Sequence, residues 1–531
     1  MAISLLLHSQ SELVAQLPQQ WALLLLVIVL PVISYLLLTR RGAEKRLKLP
    51  PGPPRLPVLG NLHQLGPLPH QSLRDLARRH GPVMFLQLGM TPAVAVSSAT
   101  AARDVLRAHD ADCCNRPALP GNKQLSYGFK TVAFSPYGAY WRDMRRLFAA
   151  ELLGARRVRA AWAARREQVE KLVRTLSSAA ARSVPVAMDE HVYGVADGII
   201  GTVAFGSVYA AATFAGRYEQ FQHVLDEAMD VTAGFSAEDF FPNAAGRLAD
   251  RLTGVVARRE RIFKDLDAFF EAVIEQRTDP GTEEDDNGGG LVDALVGLWK
   301  QGGQDFTKDN VKAVLLDTLL GGVDTSSVTI LWAMSELVRK AQVMRKAQEE
   351  IRASVATVDG DYDNNELLLV QPEDLPKLRY LKMVVKETLR LHPPATLLLP
   401  RETAEDVELG GYHVPAGTRV LVNAWAIGRD PASWGDDADE FVPERFEAGD
   451  VDFRGAHFEL LPFGAGRRIC PGLAMGVANV EFTLANMVCI FDWALPEGMG
   501  EVSMEEAGGL TIHRKTPLVL VPTVYCPASG Q

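Results

Sequence analysis

The chain has 531 residues, of which 47% are hydrophobic, and its 55 Lys and Arg face 65 Asp and Glu for a net charge of -10. That composition implies a large packed core, and the absence of a long basic run excludes nucleic-acid binding. The five cysteines, Cys113, Cys114, Cys470, Cys489 and Cys526, are an odd number without disulfide-framework spacing, which suits a reducing compartment.

The first predicted element is Trp21 to Leu38, WALLLLVIVLPVISYLLL, a run without charge that is about long enough to cross a bilayer as a helix, kinked at Pro31. A cleaved leader is disfavoured, because no Lys or Arg precedes the run and no A-x-A-like site follows it. Arg40, Arg41, Lys45, Arg46 and Lys48 come next, and basic flanks stay on the cytoplasmic side. Pro50 to Asn61, PPGPPRLPVLGN, then reads as a stiff, extended connector, since proline fixes φ and lacks an N–H. The expected organisation is a membrane anchor over 1–39, a basic and proline-rich hinge over 40–61, and one folded domain over 62–531.

In that domain apolar residues recur at three and four over Gln71 to His80, Ala99 to Ala108, Tyr140 to Leu153, Ala160 to Ala181 and Arg258 to Gln276, which predicts helices. Strand patterns appear at Val83 to Leu88, at Ala93 to Ser97, and in VELGGYHVPAGTRVLVNAW, where glycine and proline punctuate short runs. The fold class is therefore mainly α with small β-sheets. Asp279 to Gly290, DPGTEEDDNGGG, is too polar and glycine-rich to pack and reads as a surface loop.

A long helix is predicted from Thr307, a capping residue, through TKDNVKAVLLDTLLGGVDTSSVTILWAMSELVRK. Its centre is wrong for plain core. Each glycine of Gly321-Gly322 costs about 1 kcal/mol in a helix interior. Asp324, Thr325 and Ser326 put a carboxylate and hydroxyls where the chain is otherwise apolar, an inconsistency of the kind found at functional sites.

The decisive segment is Phe463 to Gly472, FGAGRRICPG, a glycine-rich turn around one cysteine that ends where a helix begins. There the sulfur of Cys470 would lie beside backbone N–H groups and the positive end of a helix dipole, which favours thiolate. Cys489, inside an apolar helix, reads as a buried structural thiol.

FGAGRRICPG matches F-x-x-G-x-R-x-C-x-G, the haem-binding signature of the cytochrome P450 superfamily, at every fixed position, and the chain resembles that family from anchor to carboxyl terminus. The resemblance implies haem b with Cys470 as the thiolate ligand of iron, a ligand that favours O–O cleavage. Glycines would let the backbone approach the macrocycle, Arg468 would reach a propionate, and Phe463 would shield the sulfur. Trp141 and Arg145 in YWRDMRR and Arg401 in LLLPRET resemble further propionate partners. Glu387 and Arg390 in KETLRLHPP would by themselves be an ordinary helix-face pair, but Pro443-Glu444-Arg445-Phe446 follows. The resemblance thus implies a buried structural network of Glu387, Arg390 and Arg445. Gly321 to Ser326 matches [AG]-G-x-[DE]-T-[ST], which implies a helix opened over the haem, with Thr325 acting on oxygen and Asp324 relaying protons. Gly321 stands where alanine is usual, a change expected to widen the groove.

The implied activity is a monooxygenase using O2 and NADPH electrons delivered by NADPH–cytochrome P450 reductase, with Arg142, Arg146, Arg156 and Arg157 offering that partner positive charge. The rival from another class is a non-catalytic haem-binding membrane protein. Asp324-Thr325 argues against it, because a carrier needs no proton relay. Peroxide-rearranging members of the family usually alter this pair. Arg116 to Ala139, Phe205 to Phe241 and Gly508 to His513 are the expected pocket walls, with Phe134, Phe235, Phe240, Phe241 and Leu397 as candidate contacts. FSAEDFFPNAAGRLADRL, KMVVKETLRLHPPATLLLPRET and NAWAIGRDPASW resemble the aldoxime-metabolising members that serve cyanogenic glucoside synthesis in grasses. For them the implied reaction runs from aldoxime through nitrile to cyanohydrin. Another plant specialised metabolite, such as a terpenoid, phenolic or indole, is the alternative substrate. The implied location is the endoplasmic reticulum membrane, spanned once, with the catalytic domain cytosolic and in contact with lipid.

Deleting residues 1–39 should release much of the protein from microsomes while haem stays bound. Loss of haem on deletion, read from the absorption spectrum, would put the apolar run in the folded core instead.

Overall fold

The computed structural model describes residues 48–531 apart from 154, 207–222, 226, 233–235, 279–289, 302–305, 356–368 and 527–531. The apolar run, most of the basic segment, Phe235 and nearly all of the glycine-rich loop lie outside the described residues. The chain divides into two units, 1–49 and 50–531.

The larger unit begins at Pro50, inside the stretch expected to be a hinge. Prolines have no N–H to give but keep their carbonyls, and those are what the fold uses here. Phe85 N–H donates to Pro51 O at 2.8 Å. Asn61 donates from Nδ2 to Pro53 O and Pro54 O at 3.3 and 3.2 Å and accepts from Gln87 N–H at 2.8 Å. The proline-rich segment is thereby tied to the first strand.

The main helices are α1 (Pro69–His80), α2 (Ala99–Arg103), α3 (Ala139–Leu153), α4 (Ala155–Ala181), α5 (Met188–Phe205), α6 (Val255–Thr278), α7 (Leu291–Lys300), α8 (Lys308–Arg339), α9 (Ala341–Val355), α10 (Arg379–Leu391) and α11 (Leu473–Ile490). The strands are β1 (Val83–Leu88), β2 (Thr91–Val96), β3 (Val186–Ala187), β4 (Arg401–Glu402), β5 (Val407–Leu409), β6 (Tyr412–Val414), β7 (Arg419–Val422), β8 (Phe491–Ala494), β9 (Glu506–Gly508), β10 (Ile512–Arg514) and β11 (Val519–Val524). One mixed sheet has the order β1-β2-β7-β4, and only β2 and β7 run parallel in it. A second sheet has the order β3-β11-β8, and β5-β6 and β9-β10 are hairpins.

Helix α8 is the spine. Thr307 and Asn310 cap its start reciprocally, as a capping box does, and the helix packs along α5 and α11. Its first half, Val311 to Leu319, belongs to one apolar cluster with α5 and α6, and its second half, Ile330 to Leu337, belongs to another with α4, α10 and α11. The interval between the clusters holds Gly321 to Thr325. Both α8 and α11 are long and apolar enough to span a bilayer, yet each is built into these clusters, which explains the same composition.

The end of α10 is held by charge. Arg390 donates to both carboxylate oxygens of Glu387 at 2.7 Å and to the carbonyls of Gly428, Ala438 and Glu440. Arg445 adds a 3.3 Å contact to Glu387 and bonds Trp434 O and Asp437. Glu387 and Arg390 are 0% and 1% exposed, so these bonds replace all the water the two ions have lost. Gly428 is required beside them, because a Cβ there would sit 2.3 Å from Arg390 O.

Glu387→Ala should therefore cost roughly 3–5 kcal/mol by leaving Arg390 buried without its counter-ion. The expected readouts are a lower thermal midpoint and little accumulated haem protein. A midpoint equal to that of the parent would detach the network from stability.

Candidate active site

The glycines of the thiolate loop are there for backbone reasons. Gly464 and Gly466 have φ of +66° and +69°, in the region that side chains resist. A Cβ at Gly466 would lie 2.4 Å from both Leu106 O and Asp110 Oδ1. The turn closes through Cys470 N–H donating to Phe463 O at 3.0 Å, and α11 starts three residues later. Burial pushes the Cys470 thiol up, while the N–H groups of Gly472 and Leu473 and the Arg145 guanidinium pull it down, with burial the larger effect. The expectation that the helix terminus alone would favour thiolate is thus only half met. Further positive charge at the sulfur, such as a metal ion supplies, is needed to complete it.

Arginines surround this loop. Arg468 donates to Cys114 O, Val132 O and Ser135 O and lies 4.3 Å over the Trp141 ring. Trp141 gives its indole N–H to Val132 O at 3.1 Å, so it acts on Arg468 through its ring and does not turn its N–H to the cavity. Arg145 bonds Ile469 O. Arg401 pairs with Asp110 at 3.0 Å and bonds Ala465 O at 2.8 Å. Phe463 packs against Phe453 with ring centroids 5.3 Å apart.

The opposite resource is the centre of α8. The expected opening of the helix is absent, since Lys308–Arg339 is helical throughout. Thr325 instead returns its hydroxyl to Gly321 O at 2.7 Å, a back-bond of the kind that satisfies a hydroxyl without breaking the ladder. The two glycines differ in purpose. A Cβ on Gly322 would meet Ile200 Cδ1 at 2.7 Å, so this glycine lets α5 approach, whereas a Cβ on Gly321 would meet nothing within 4 Å. Asp324 points elsewhere. Its carboxylate accepts from Tyr193 Oη at 2.7 Å and from Thr511 Oγ1.

One cavity of about 320 Å³ gathers Cys470, Phe463, Arg468, Arg145, Trp141, Arg401, Gly321 and Thr325 in its walls. Asp324 is not among them, and it touches the cavity through Thr511. The Glu387, Arg390 and Arg445 network lies outside it. Phe134 lines it, and Phe240, Phe241 and Leu397 do not. A wider-mouthed cleft of about 700 Å³ carries Glu336, His392, Arg429 and Glu506 but neither the cysteine nor the glycine pair. Its charges are already matched in Glu336–His392, Glu336–Arg339 and Glu506–His70 pairs.

Sequence reasoning missed three residues outright and gave a fourth, Arg116, only as the first residue of an expected pocket wall. Arg116 lines the cavity and spends its donors on the carbonyls of Ala133, Leu399 and Pro400. Asp110 anchors Arg401 and Arg467. Tyr193 holds Asp324, and Asp317 lines the cavity from α8. Each is a lone residue without diagnostic spacing. Only the buried-helix position of Asp317 was a signal, of the same kind that drew attention to Asp324.

Four guanidinium groups, of Arg116, Arg145, Arg401 and Arg468, reach this cavity with Asp110 as the carboxylate paired to one of them. Burial pulls all four below the ordinary arginine range, Arg468 to about 10 and Arg116 well below it. Such uncompensated positive charge asks for an anionic ligand. A single sulfur ligand asks for a metal that brings its other ligands with it, since no three His, Cys, Asp or Glu among the described residues are grouped to hold a bare ion. A macrocyclic iron complex with two carboxylates satisfies both demands, so the residues fit haem.

Comparison with known proteins agrees. Residues 50–521 match the family described as Cytochrome P450. The chain is 62% identical over 522 residues to 4-hydroxyphenylacetaldehyde oxime monooxygenase of Sorghum bicolor, covering 96% of each chain. It is 44% identical to 2-methylbutanal oxime monooxygenase of Manihot esculenta, over 96% of this chain and 98% of that one. A zebra fish cytochrome P450 solved with progesterone superimposes with a TM-score of 0.70 at 23% identity, over 86% of this chain and 99% of that one.

Arg116→Leu should loosen the prosthetic group, because it removes one cation and strands three carbonyls. Haem transfer to a scavenging apoprotein should accelerate roughly tenfold to a hundredfold, the worth of a charge-assisted hydrogen bond. An unchanged transfer rate would leave Arg116 a purely structural clasp.

Proposed function

This chain belongs to the cytochrome P450 family, and on that premise we propose that it dehydrates an aldoxime to a nitrile and then hydroxylates the nitrile's α-carbon to a cyanohydrin. It is a haem-thiolate monooxygenase of plant specialised metabolism that receives NADPH electrons through a reductase. The observation that carries the aldoxime reading is full-length identity of 62% to an oxime monooxygenase, with a second oxime monooxygenase at 44%.

The first step expels water from the oxime carbon and nitrogen without net oxidation. The second consumes O2, two electrons and two protons, places one oxygen atom on the α-carbon and releases the other as water. When bound, the haem supplies the Lewis-acidic contact for the first step and the oxygen chemistry of the second. We assign its iron ligation to Cys470 and its carboxylates to Arg116, Arg145, Arg401 and Arg468, with Trp141 steadying Arg468 and Phe463 keeping water from the sulfur.

Protons are the business of α8. Thr325 presents its hydroxyl to the cavity, and Asp324 lies behind it with Tyr193 and Thr511 as hydrogen-bond partners. We infer that Asp324 passes protons toward Thr325 by way of the Thr511 side, and that water is otherwise kept out by Phe134, Phe148, Ile200 and Leu398 around the cavity. Arg142 and Arg146 are exposed on α3 and are the proposed docking charges for the reductase. Retention on the endoplasmic reticulum through residues 1–39, with the catalytic unit in the cytosol, completes the reading.

The test is to feed microsomes an aldoxime panel with NADPH and reductase, comparing the parent with Thr325→Ala. The parent should form nitrile and cyanohydrin. Thr325→Ala should keep its haem and its nitrile, while cyanohydrin per NADPH falls on the order of 100-fold, the usual worth of a positioned acid–base group. Equal loss of both products, with haem intact, would refute this division of labour.

A further inference from the structure

We propose that Asp317 is a specificity residue, and that it receives a ring hydroxyl of the substrate, so that the aldoxime favoured by this enzyme is a hydroxyaryl one. The inference rests on the aldoxime reading above and goes beyond it by choosing the side chain that the aldoxime carries.

Residues 317, 321 and 325 are spaced by four and so share one stripe of α8. The stripe faces the cavity, for Asp317, Gly321 and Thr325 all line it. Eight residues of helix span about 12 Å. Thr325 marks the reacting end, and Asp317 stands at the far end of a slot suited to a ring with a two-carbon side chain. Gly321, with open space where a side chain would begin, leaves room between them. The neighbouring walls are Phe134, Phe148, Ile200, Met229 and Leu320, which suit an aromatic ring.

Within this apolar lining the acid is conspicuous. Its carboxyl accepts the N–H groups of Val132 and Ala133, and no cation among the described residues acts on it. A carboxylate offers roughly four lone-pair positions, so two N–H donors leave acceptor capacity. Asp317 keeps accessible surface although it is remote from bulk water, and that surface belongs to the cavity. Burial pushes the carboxyl up to about 7, so near neutrality it can either accept from a hydroxyl or donate to one. A cationic ligand is the poorer match, because the cavity already holds the charges of Arg116, Arg145, Arg401 and Arg468. The plainer account is that Asp317 does no more than pin the 132–133 backbone, and that account predicts equal effects on ligands with and without a hydroxyl.

The experiment uses the full-length haem enzyme. Dissociation constants are read from the shift of the haem absorption band for 4-hydroxyphenylacetaldehyde oxime, phenylacetaldehyde oxime and 2-methylbutanal oxime, in the parent, Asp317→Asn and Asp317→Leu. The parent should bind the hydroxylated aryl oxime roughly tenfold to a hundredfold more tightly than the unhydroxylated one. That ratio should shrink in Asp317→Asn and collapse toward one in Asp317→Leu. Asp317→Asn conserves the shape of the side chain, so the ratio remains readable there even if Asp317→Leu fails to fold. A ratio near one in the parent, or one that persists in Asp317→Asn and Asp317→Leu alike, overturns the inference while leaving the aldoxime reading intact wherever nitrile still forms. Absence of nitrile from all three oximes with NADPH and reductase overturns that reading and the inference together.

Discussion

Buried positive charge without matching negative charge is the constraint around which this molecule is organised. Arg116, Arg401 and Arg468 tie together segments near residues 114–135, 399–402 and 465–468 by donating to backbone carbonyls. The carbonyls satisfy the N–H groups but do not cancel the charge, and effective burial penalties run to several kcal/mol per ion. Asp110 answers Arg401 and, at the surface, Arg467. The remainder is a standing demand for an anion, which the carboxylates of haem would meet. Ligand binding and tightness of the fold are then one equilibrium, since whatever binds only the native state stabilises it.

The same loop explains why Cys470 needs its partner. Apolar surroundings suit a thiol, and two N–H groups with one arginine do not outweigh them. A metal ion at the sulfur would supply the missing positive charge, so the thiolate would be a property of the assembled site. The apolar surroundings that raise the thiol would also exclude water from a metal–sulfur bond formed there.

Much of this was legible because its causes are local. The apolar periodicity of Gln71 to His80, the strand pattern of Val83 to Leu88 and the capping Thr307 all lie within a few residues of what they determine. The glycine-rich turn before Cys470 does too. Residues 279–289 of the loop and the anchor lie outside the described residues. What was illegible depended on distance along the chain. Tyr193 is 131 residues from Asp324, and Thr511 is 187 residues away. Arg116 meets Leu399 and Pro400 across 283 and 284 residues. No periodicity encodes such pairs. The proline-rich segment reads as a stiff, extended connector, and that reading says nothing of its carbonyls, which the first strand and Asn61 take up.

Asp324 and Thr325 expose a limit of motif reasoning that geometry removes. Successive helix residues are rotated by about 100°, so an acid and an alcohol side by side in sequence leave an unbroken helix in different directions. Helix α8 is unbroken, and it resolves the conflict by division. Asp317, Gly321 and Thr325 line the cavity, Gly322 lines it against Ile200, and Asp324 turns away, to Tyr193 and Thr511. A proton passed from Asp324 to the cavity would therefore have to cross from one face of the helix to another. Thr511 is a side chain that touches the acid and also borders the cavity, which would make the turn before β10 part of such a route. Meanwhile the Thr325 hydroxyl donates to Gly321 O and so meets the cavity as an acceptor. To give a proton inward it must first release that carbonyl, and Gly321, having no side chain, leaves the space in which it can turn.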